Sequence, residues 1–573
     1  MYIDIVPNRK SPPAVLLREG FRQDGKVVKR TLANLSSLPP HAIEVLRRSL
    51  KGETFCQASL PDAFSIVRSR SHGAVAAVLG AARQCGLAKL IAPAPSPVRN
   101  LVMAMVVARI LNPRSKLATA RGLVPQRASD TLAEELGLSA TVDEQDLYGA
   151  LDWLVEQQPK IEKRLAKKHL KEDSLVLYDL TSVWMEGRHC PLAKFGHSRD
   201  GKRGKRQFEF GLMCDAEGRP VAVEVFEGNR ADPSTVAHQV GTLRKRFGLN
   251  KVVLVADRGM LTQKRIDEDL KPNDLDWVTA LRAPQILKLV EKTGFQLDLL
   301  DERNLAEITN VESYPGERFM VCRNPVLGAE RARKREALLQ ATERRLEEIV
   351  AATQRQKRRL KGAVQIQKRV GKHLNARKVG KHFQIAITED SFCWSRNAQS
   401  IDQEAALDGF YVIRTSLPED RMDSKQVVGN YKRLSAVERA FRSFKTVDLK
   451  VRPVHHRLDK RVRAHVLCCM LAWYVEFHLR RQLAPLLYDD EETPQRSDPV
   501  APAVVSASAK NKAASGINSQ GFPVQSFRDL LQHLSCLNRN RIRPKITGQH
   551  EFDMLTQPTP VQQEAFRLLK VKP

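Results

Sequence analysis

Between residues 174 and 282 the chain alternates short apolar, β-branched runs with helical stretches, and the order of those runs leaves few folds open. Ser174-Leu-Val-Leu-Tyr-Asp179-Leu-Thr-Ser-Val reads as a strand. Arg206-Gln-Phe-Glu-Phe-Gly-Leu-Met-Cys and Pro220-Val-Ala-Val-Glu-Val-Phe alternate and read as two more. A helical segment over about 233–247 precedes Lys251-Val-Val-Leu-Val-Ala-Asp257, a run of the kind buried on both faces of a sheet. A helix near 261–271 and a strand over Trp277-Val-Thr-Ala-Leu-Arg282 complete the series. Three strands in succession, a helix, then strand–helix–strand specify a mixed α/β sheet.

Two of these runs end in an acid, Asp179 and Asp257. Carboxylates at the C-terminal ends of neighbouring strands meet at the sheet edge, where ligands of α/β folds gather. A third acid comes from Tyr431-Lys-Arg-Leu-Ser-Ala-Val-Glu438-Arg-Ala-Phe-Arg442-Ser-Phe-Lys445, which reads as one helix without Gly or Pro. Positions seven apart return to nearly the same helical face, so Tyr431, Glu438 and Lys445 form a stripe with Arg442 one turn beyond the glutamate. Three acids around one point repel one another unless a cation neutralises them. Oxygen ligands of this type suit Mg²⁺, or Mn²⁺, and two such ions suit phosphodiester hydrolysis or transfer. Each acid alone reads more simply as a turn, cap or surface residue, and only the combination outweighs that reading.

The rest of the chain supplies context. With 94 Lys/Arg against 65 Asp/Glu the 573 residues carry +29, which favours a polyanionic partner, most simply nucleic acid. Nine scattered cysteines, with no C-x-x-C pair, suit a reducing cytoplasm. The most apolar segment, Val466–Phe477, is too short to span a bilayer. Residues 1–40 alternate β-like runs around Asp24-Gly25, a hairpin signal, and 41–170 read as helical. The window 331–381 holds 17 Lys/Arg against four Glu, and much of it reads as one long helix reaching Gly362. A helix charged all round is usually solvated; the excess of one sign makes DNA contact an equal alternative. Residues 489–520 read as a disordered linker, followed by a short helical tail over Val524–Leu537. Lys202-Arg203-Gly204-Lys205-Arg206 reads as a solvated hairpin tip, and Asn229 as a turn or site-lining residue. His189, Cys190 and His197 lack a fourth ligand at zinc spacing. His455-His456 reads as packing beneath the helix of Glu438.

The combination resembles the DDE transposases of bacterial insertion sequences, in the group marked by Tyr-x2-Arg-x3-Glu-x6-Lys. Tyr431, Glu438 and Lys445 stand at those spacings, whereas Leu434 occupies the signature arginine position. Arg433 and Arg442 are near enough in sequence to take over its phosphate contact. Tyr178-Asp179-Leu-Thr181 and Val255-Ala-Asp257-Arg258-Gly259 look like the two Asp boxes. Asn112-Pro-Arg-Ser-Lys-Leu-Ala and Ala406-Leu-Asp-Gly-Phe-Tyr-Val-Ile-Arg-Thr strengthen a likeness that covers about 1–480.

The resemblance implies a ribonuclease H-like mixed-sheet catalytic core with a long insertion, preceded by a mainly helical N-terminal region. Its expected parts are a hairpin and helical DNA-binding and dimerisation region (1–170), the first part of the core (171–285), a basic insertion (286–425), the last part of the core (426–482), and a linker and tail (483–573). It implies that Asp179, Asp257 and Glu438 are catalytic and hold two Mg²⁺ or Mn²⁺ ions. Tyr431, Arg442, Lys445, Arg433 and Arg258 are the expected DNA contacts. The implied partners are double-stranded DNA, as terminal inverted repeats and target, and a second copy in a synaptic homodimer, with no membrane. The expected setting is the bacterial cytoplasm, at the nucleoid. The rival readings are a metal-dependent nuclease without strand transfer and a non-catalytic DNA-binding protein derived from a transposase.

Overall fold

The structure, a computed structural model, describes all residues except 10, 54–62, 139–140, 203, 294–303, 493–497, 502 and 546–549. Cys56, Arg203 of the basic hairpin tip and part of the expected linker thus lie outside the described residues. The chain divides into two compact units, Met1–Arg70 with Asn538–Gln557, and Ser71–Leu537 with Pro558–Pro573.

In the first unit β1 (Tyr2–Val6), β2 (Ala14–Gln23) and β3 (Lys26–Asn34) form an antiparallel sheet. The two-residue turn between β2 and β3 is Asp24-Gly25, both left-handed at φ 50° and 74°, as the hairpin signal requires. A helix follows over Pro40–Leu50. The stretch read as helical then contains a strand instead, β4 (Phe64–Ser71). Its partner lies more than 450 residues away near the C-terminus, a pairing that no local pattern reveals.

The second unit is built on an eight-stranded sheet. β5 (Ser174–Trp184), β6 (Gln207–Asp215) and β7 (Pro220–Glu227) form an antiparallel meander. β8 (Val252–Val255) then runs parallel to β5, and β9 (Asp276–Ala280) parallel to β8. Counted in chain order, these five strands lie 3-2-1-4-5 with the second antiparallel, the expected ribonuclease H-like arrangement. β10 (Leu305–Ile308) and β11 (Arg318–Arg323) extend the sheet beyond β9 through a later strand. Helices Gly73–Gln84, Pro97–Leu111 and Glu144–His169 pack with the helix Asp459–Leu483, and all join the core of this sheet.

The insertion carries a small core of its own, including Leu339, Leu346, Ile366, Val370 and Phe383. Its helix runs over Pro325–Gln354 and stops short of Gly362; a second helix covers Ala363–Arg377. The basic run between them is a loop because Leu360 and Gly362 fold back, the amide of Leu360 donating to the carbonyl of Ala352. β12 (Phe383–Ile387) and β13 (Phe392–Arg396) close a hairpin, and β14 (Phe410–Thr415) returns to the main sheet between β9 and β11.

The segment read as a disordered linker contains an ordered helix, Ala507–Ser515. It is anchored by Lys512, whose buried Nζ donates to the carbonyls of Ala484 at 2.9 Å and Leu487 at 3.3 Å. The tail is also longer than its helix Phe527–Ser535: β15 (Asn538–Pro544) and β16 (Phe552–Leu555) complete the sheet of β4, and the helix Pro560–Leu569 follows.

Candidate active site

The parallel pairing of β5 and β8 sets the first two acids. The register runs from Ser174 opposite Val252 to Leu177 opposite Val255. Carried two residues further it sets Asp179 opposite Asp257, on strands about 4.8 Å apart. Each side chain is steadied by backbone. One oxygen of Asp179 accepts the amide of Leu180 at 2.7 Å. Oδ1 of Asp257 accepts the amides of Gly259 and Met260, both at 2.9 Å.

The third acid rides on the helix Leu434–Arg442, which packs on β5. Val437, Ala440 and Phe441 bury the inner face of this helix, and Glu438 stays exposed. Phe210 of β6 anchors it, with ring centroids 5.5 Å from Phe441 and 5.7 Å from Phe444. The 431–445 stretch is not one straight helix. Ser424–Lys432 and Leu434–Arg442 join at Arg433, and Ser443–Val447 winds as a wider π-type turn. The seven-residue stripe is therefore bent at both ends.

Electrostatics tie the three acids together. Burial, together with the negative charges of Asp257 and Glu438, pushes the Asp179 carboxyl up to about 7, opposed by the Leu180 amide and by Arg199. Burial and the charges of Asp257, Asp179 and Glu438 push the Tyr431 phenol up to about 12, against the pull of Arg258. The donor chemistry fits a divalent cation, since a positive ion would offset both the burial and the neighbouring negative charges that hold the proton on Asp179. The set is not closed: among the described residues no three His, Cys, Asp or Glu side chains converge tightly enough to enclose a metal ion.

Residues 171–475 match the family described as "Transposase DDE domain", and residues 3–61 match the N-terminal domain of IS1634 family transposases. The chain belongs to the DDE transposases. No curated protein matches its sequence. Among solved structures, a cryo-EM structure of a piggyBac transposase synaptic complex with hairpin DNA aligns at 11% identity and a TM-score of 0.33. That alignment covers 81% of this chain and 76% of that one.

The expected DNA contacts of the transposase fall into two groups. Tyr431 and Arg258 lie within electrostatic reach of the acids, and Arg258 and Arg442 are exposed. Arg433 and Lys445 are engaged elsewhere. The Arg433 guanidinium donates to the carbonyl of Ala216 at 3.2 Å, in the β6–β7 turn. Lys445 Nζ is held by Asp200 at 2.9 Å. Sequence reasoning missed Arg199, whose charge reaches Asp179 from the β5–β6 connection while its guanidinium pairs with Asp232 at 2.5 Å. Its turn-like surroundings, Ser198-Arg199-Asp200-Gly201, give no hint of a tertiary position. Among the described residues, His189, Cys190 and His197 belong to no group of three or more His, Cys, Asp or Glu side chains placed to hold a metal ion. His456 packs edge-on to Tyr148 at 6.0 Å and lies 5.3 Å from His465. Among the described residues no helix is long and apolar enough to cross a membrane.

Proposed function

We propose that this transposase binds the ends of an insertion sequence, cleaves them and joins the freed 3′-OH to target DNA. The observation that carries the reading is the parallel register of β5 and β8, which runs towards Asp179 opposite Asp257, with the charge of Glu438 acting on Asp179 and those of all three acids acting on Tyr431. Asp179, Asp257 and Glu438 would hold the divalent ions, two Mg²⁺ or Mn²⁺, by drawing closer around them than they stand here. When bound, such ions supply an acidified nucleophile and charge stabilisation on the leaving oxygen.

The protein's own groups do the rest. Tyr431 keeps its proton at neutral pH and donates a hydrogen bond to a DNA phosphate. Arg258 and Arg442, both exposed, fix further phosphates, and Arg433 can exchange its carbonyl partner for one. In the first reaction water attacks phosphorus and the 3′ oxygen leaves. In the second that 3′-OH attacks a target phosphodiester and another 3′ oxygen leaves. Both reactions use the same acids, so one site serves in sequence. Bringing two ends together calls for a homodimer in the synaptic complex, in the bacterial cytoplasm where the nucleoid lies.

The test is cleavage of a labelled duplex carrying the DNA that flanks the coding region, with Mg²⁺, Mn²⁺ or EDTA. Boundary nicks and joined products are expected, lost in EDTA and reduced at least about a hundredfold by Asp257→Asn with DNA binding retained. An Asn side chain keeps the oxygen that accepts the Gly259 and Met260 amides, so the loop survives the change. Cleavage without joining would replace the transposase by a nuclease. Binding with no cleavage under any metal would sink the catalytic reading.

A further inference from the structure

Lys445 is not free in this structure, and what holds it is informative. Its Nζ contacts one carboxylate oxygen of Asp200 at 2.9 Å, while the Arg452 guanidinium contacts the other at 3.2 Å. All three side chains are largely withdrawn from solvent, at 12%, 10% and 15% exposure for Lys445, Arg452 and Asp200. Arg452 cannot swing freely, because its guanidinium lies 3.6 Å over the ring of Trp184 at the end of β5. Lys445 is fixed from the other side by the π-type turn after the Glu438 helix. Two cations seven residues apart in sequence thus converge on one carboxylate contributed by the β5–β6 connection.

We propose that Lys445 and Arg452 form a clamp for one DNA backbone phosphate, and that Asp200 occupies it as an internal stand-in until DNA displaces it. The proposal deepens the transposase reading and rests on it. A phosphodiester presents two non-bridging oxygens much as a carboxylate does, and Arg and Lys are the groups that bind both. Exchange of one anion for another keeps both cations paired, so opening the clamp leaves no buried charge stranded.

The test is a double-mutant cycle on the full-length protein, read by fluorescence anisotropy with a labelled element-end duplex in EDTA. Asp200→Asn is expected to tighten binding about tenfold and to steepen the dependence of log K on log salt by about one unit, the signature of an added phosphate contact. Lys445→Met is expected to cost about fivefold more affinity in the Asp200→Asn background than in the wild type, because only the wild type regains the Lys445–Asp200 pair on release. Asp200→Glu, which restores the anion, returns affinity to the wild-type side. Asp200→Ser provides a second neutral variant should Asn impair folding. Strictly additive effects with an unchanged salt slope would reduce Asp200 to a general surface charge and overturn the clamp, while wild-type DNA binding left the transposase reading standing. Absence of DNA binding in every variant would overturn both.

Discussion

Asp179 bears the main electrostatic cost of the site. Its carboxyl, ordinarily near 3.8, holds its proton to about pH 7 because burial and two neighbouring acids disfavour the charge. The sign of the consequence follows from linkage. The folded state binds the proton more tightly than the unfolded one, so the metal-free protein loses stability as pH rises from about 4 to about 7 and carries the whole penalty above that. Asp179→Asn removes it. In EDTA at pH 8 this variant is expected to melt about 2 °C or more above the wild type, with the gap narrowing as pH falls towards 5. Differential scanning fluorimetry across that range checks it. A gap that does not change with pH would mean that Asp179 is ionised throughout and the acids do not interact. The pairing of Asp179 with Asp257 was legible in sequence only in part. Asp257 follows the end of its apolar run, but β5 continues to Trp184, so Asp179 lies mid-strand. The parallel register, not a shared strand end, sets the two side by side. Arg199 and Asp200 were not legible, because a loop residue's tertiary neighbours leave no periodic trace.

One element decides where Glu438 stands. The helix Leu434–Arg442 lies on β5, and its approach is set partly by Gly218 in the turn between β6 and β7. Gly218 has φ +86°, and a Cβ built there would come within 2.7 Å of the Ala436 Cβ. Gly218→Val combines a disfavoured backbone with a collision against the helix that carries Glu438. We expect it to lower cleavage about tenfold while DNA affinity stays within about twofold, and to cost roughly 1–3 kcal/mol of stability in denaturant unfolding. Ala436→Gly in the same chain relieves the collision but not the backbone strain, so rescue is partial. Full rescue would assign the whole effect to the clash; no rescue would show that Gly218 does not position the helix. The sequence marked this stretch as helical from its apolar spacing and its lack of breakers. It could not show the joint at Arg433 or the wide turn at Ser443–Val447, because those follow from docking on β5 and from Phe444 packing on Phe210.

At the scale of the whole molecule, net charge alone says little about where DNA lies, since much of the positive charge is already paired. Within the insertion, Arg335 pairs with Asp408 at 2.5 Å and Arg345 with Glu348 at 2.7 Å. Lys334 and Lys381 pair with Glu330 and Glu404. Arg359 is also tied down, donating to the carbonyls of Thr353 and Asp390. Arg355, Lys357 and Arg358 differ. They sit exposed in the loop that replaces the continuous helix read from sequence, and no carboxylate among the described residues pairs with them. Composition announced a basic segment, but which cations are uncommitted depends on acids such as Asp408 and Glu404, distant in sequence and brought close by β14 and the helix before it. If this loop meets DNA, each of its cations displaces a counterion, and the salt dependence counts them. Reversing all three to Glu is expected to weaken duplex binding at least about tenfold near physiological salt and to flatten the slope of log K against log salt by about two to three units. Boundary cleavage at saturating DNA should change little, because the loop touches none of the three acids. An unchanged slope would move the DNA path off the insertion and leave its charge to some other partner.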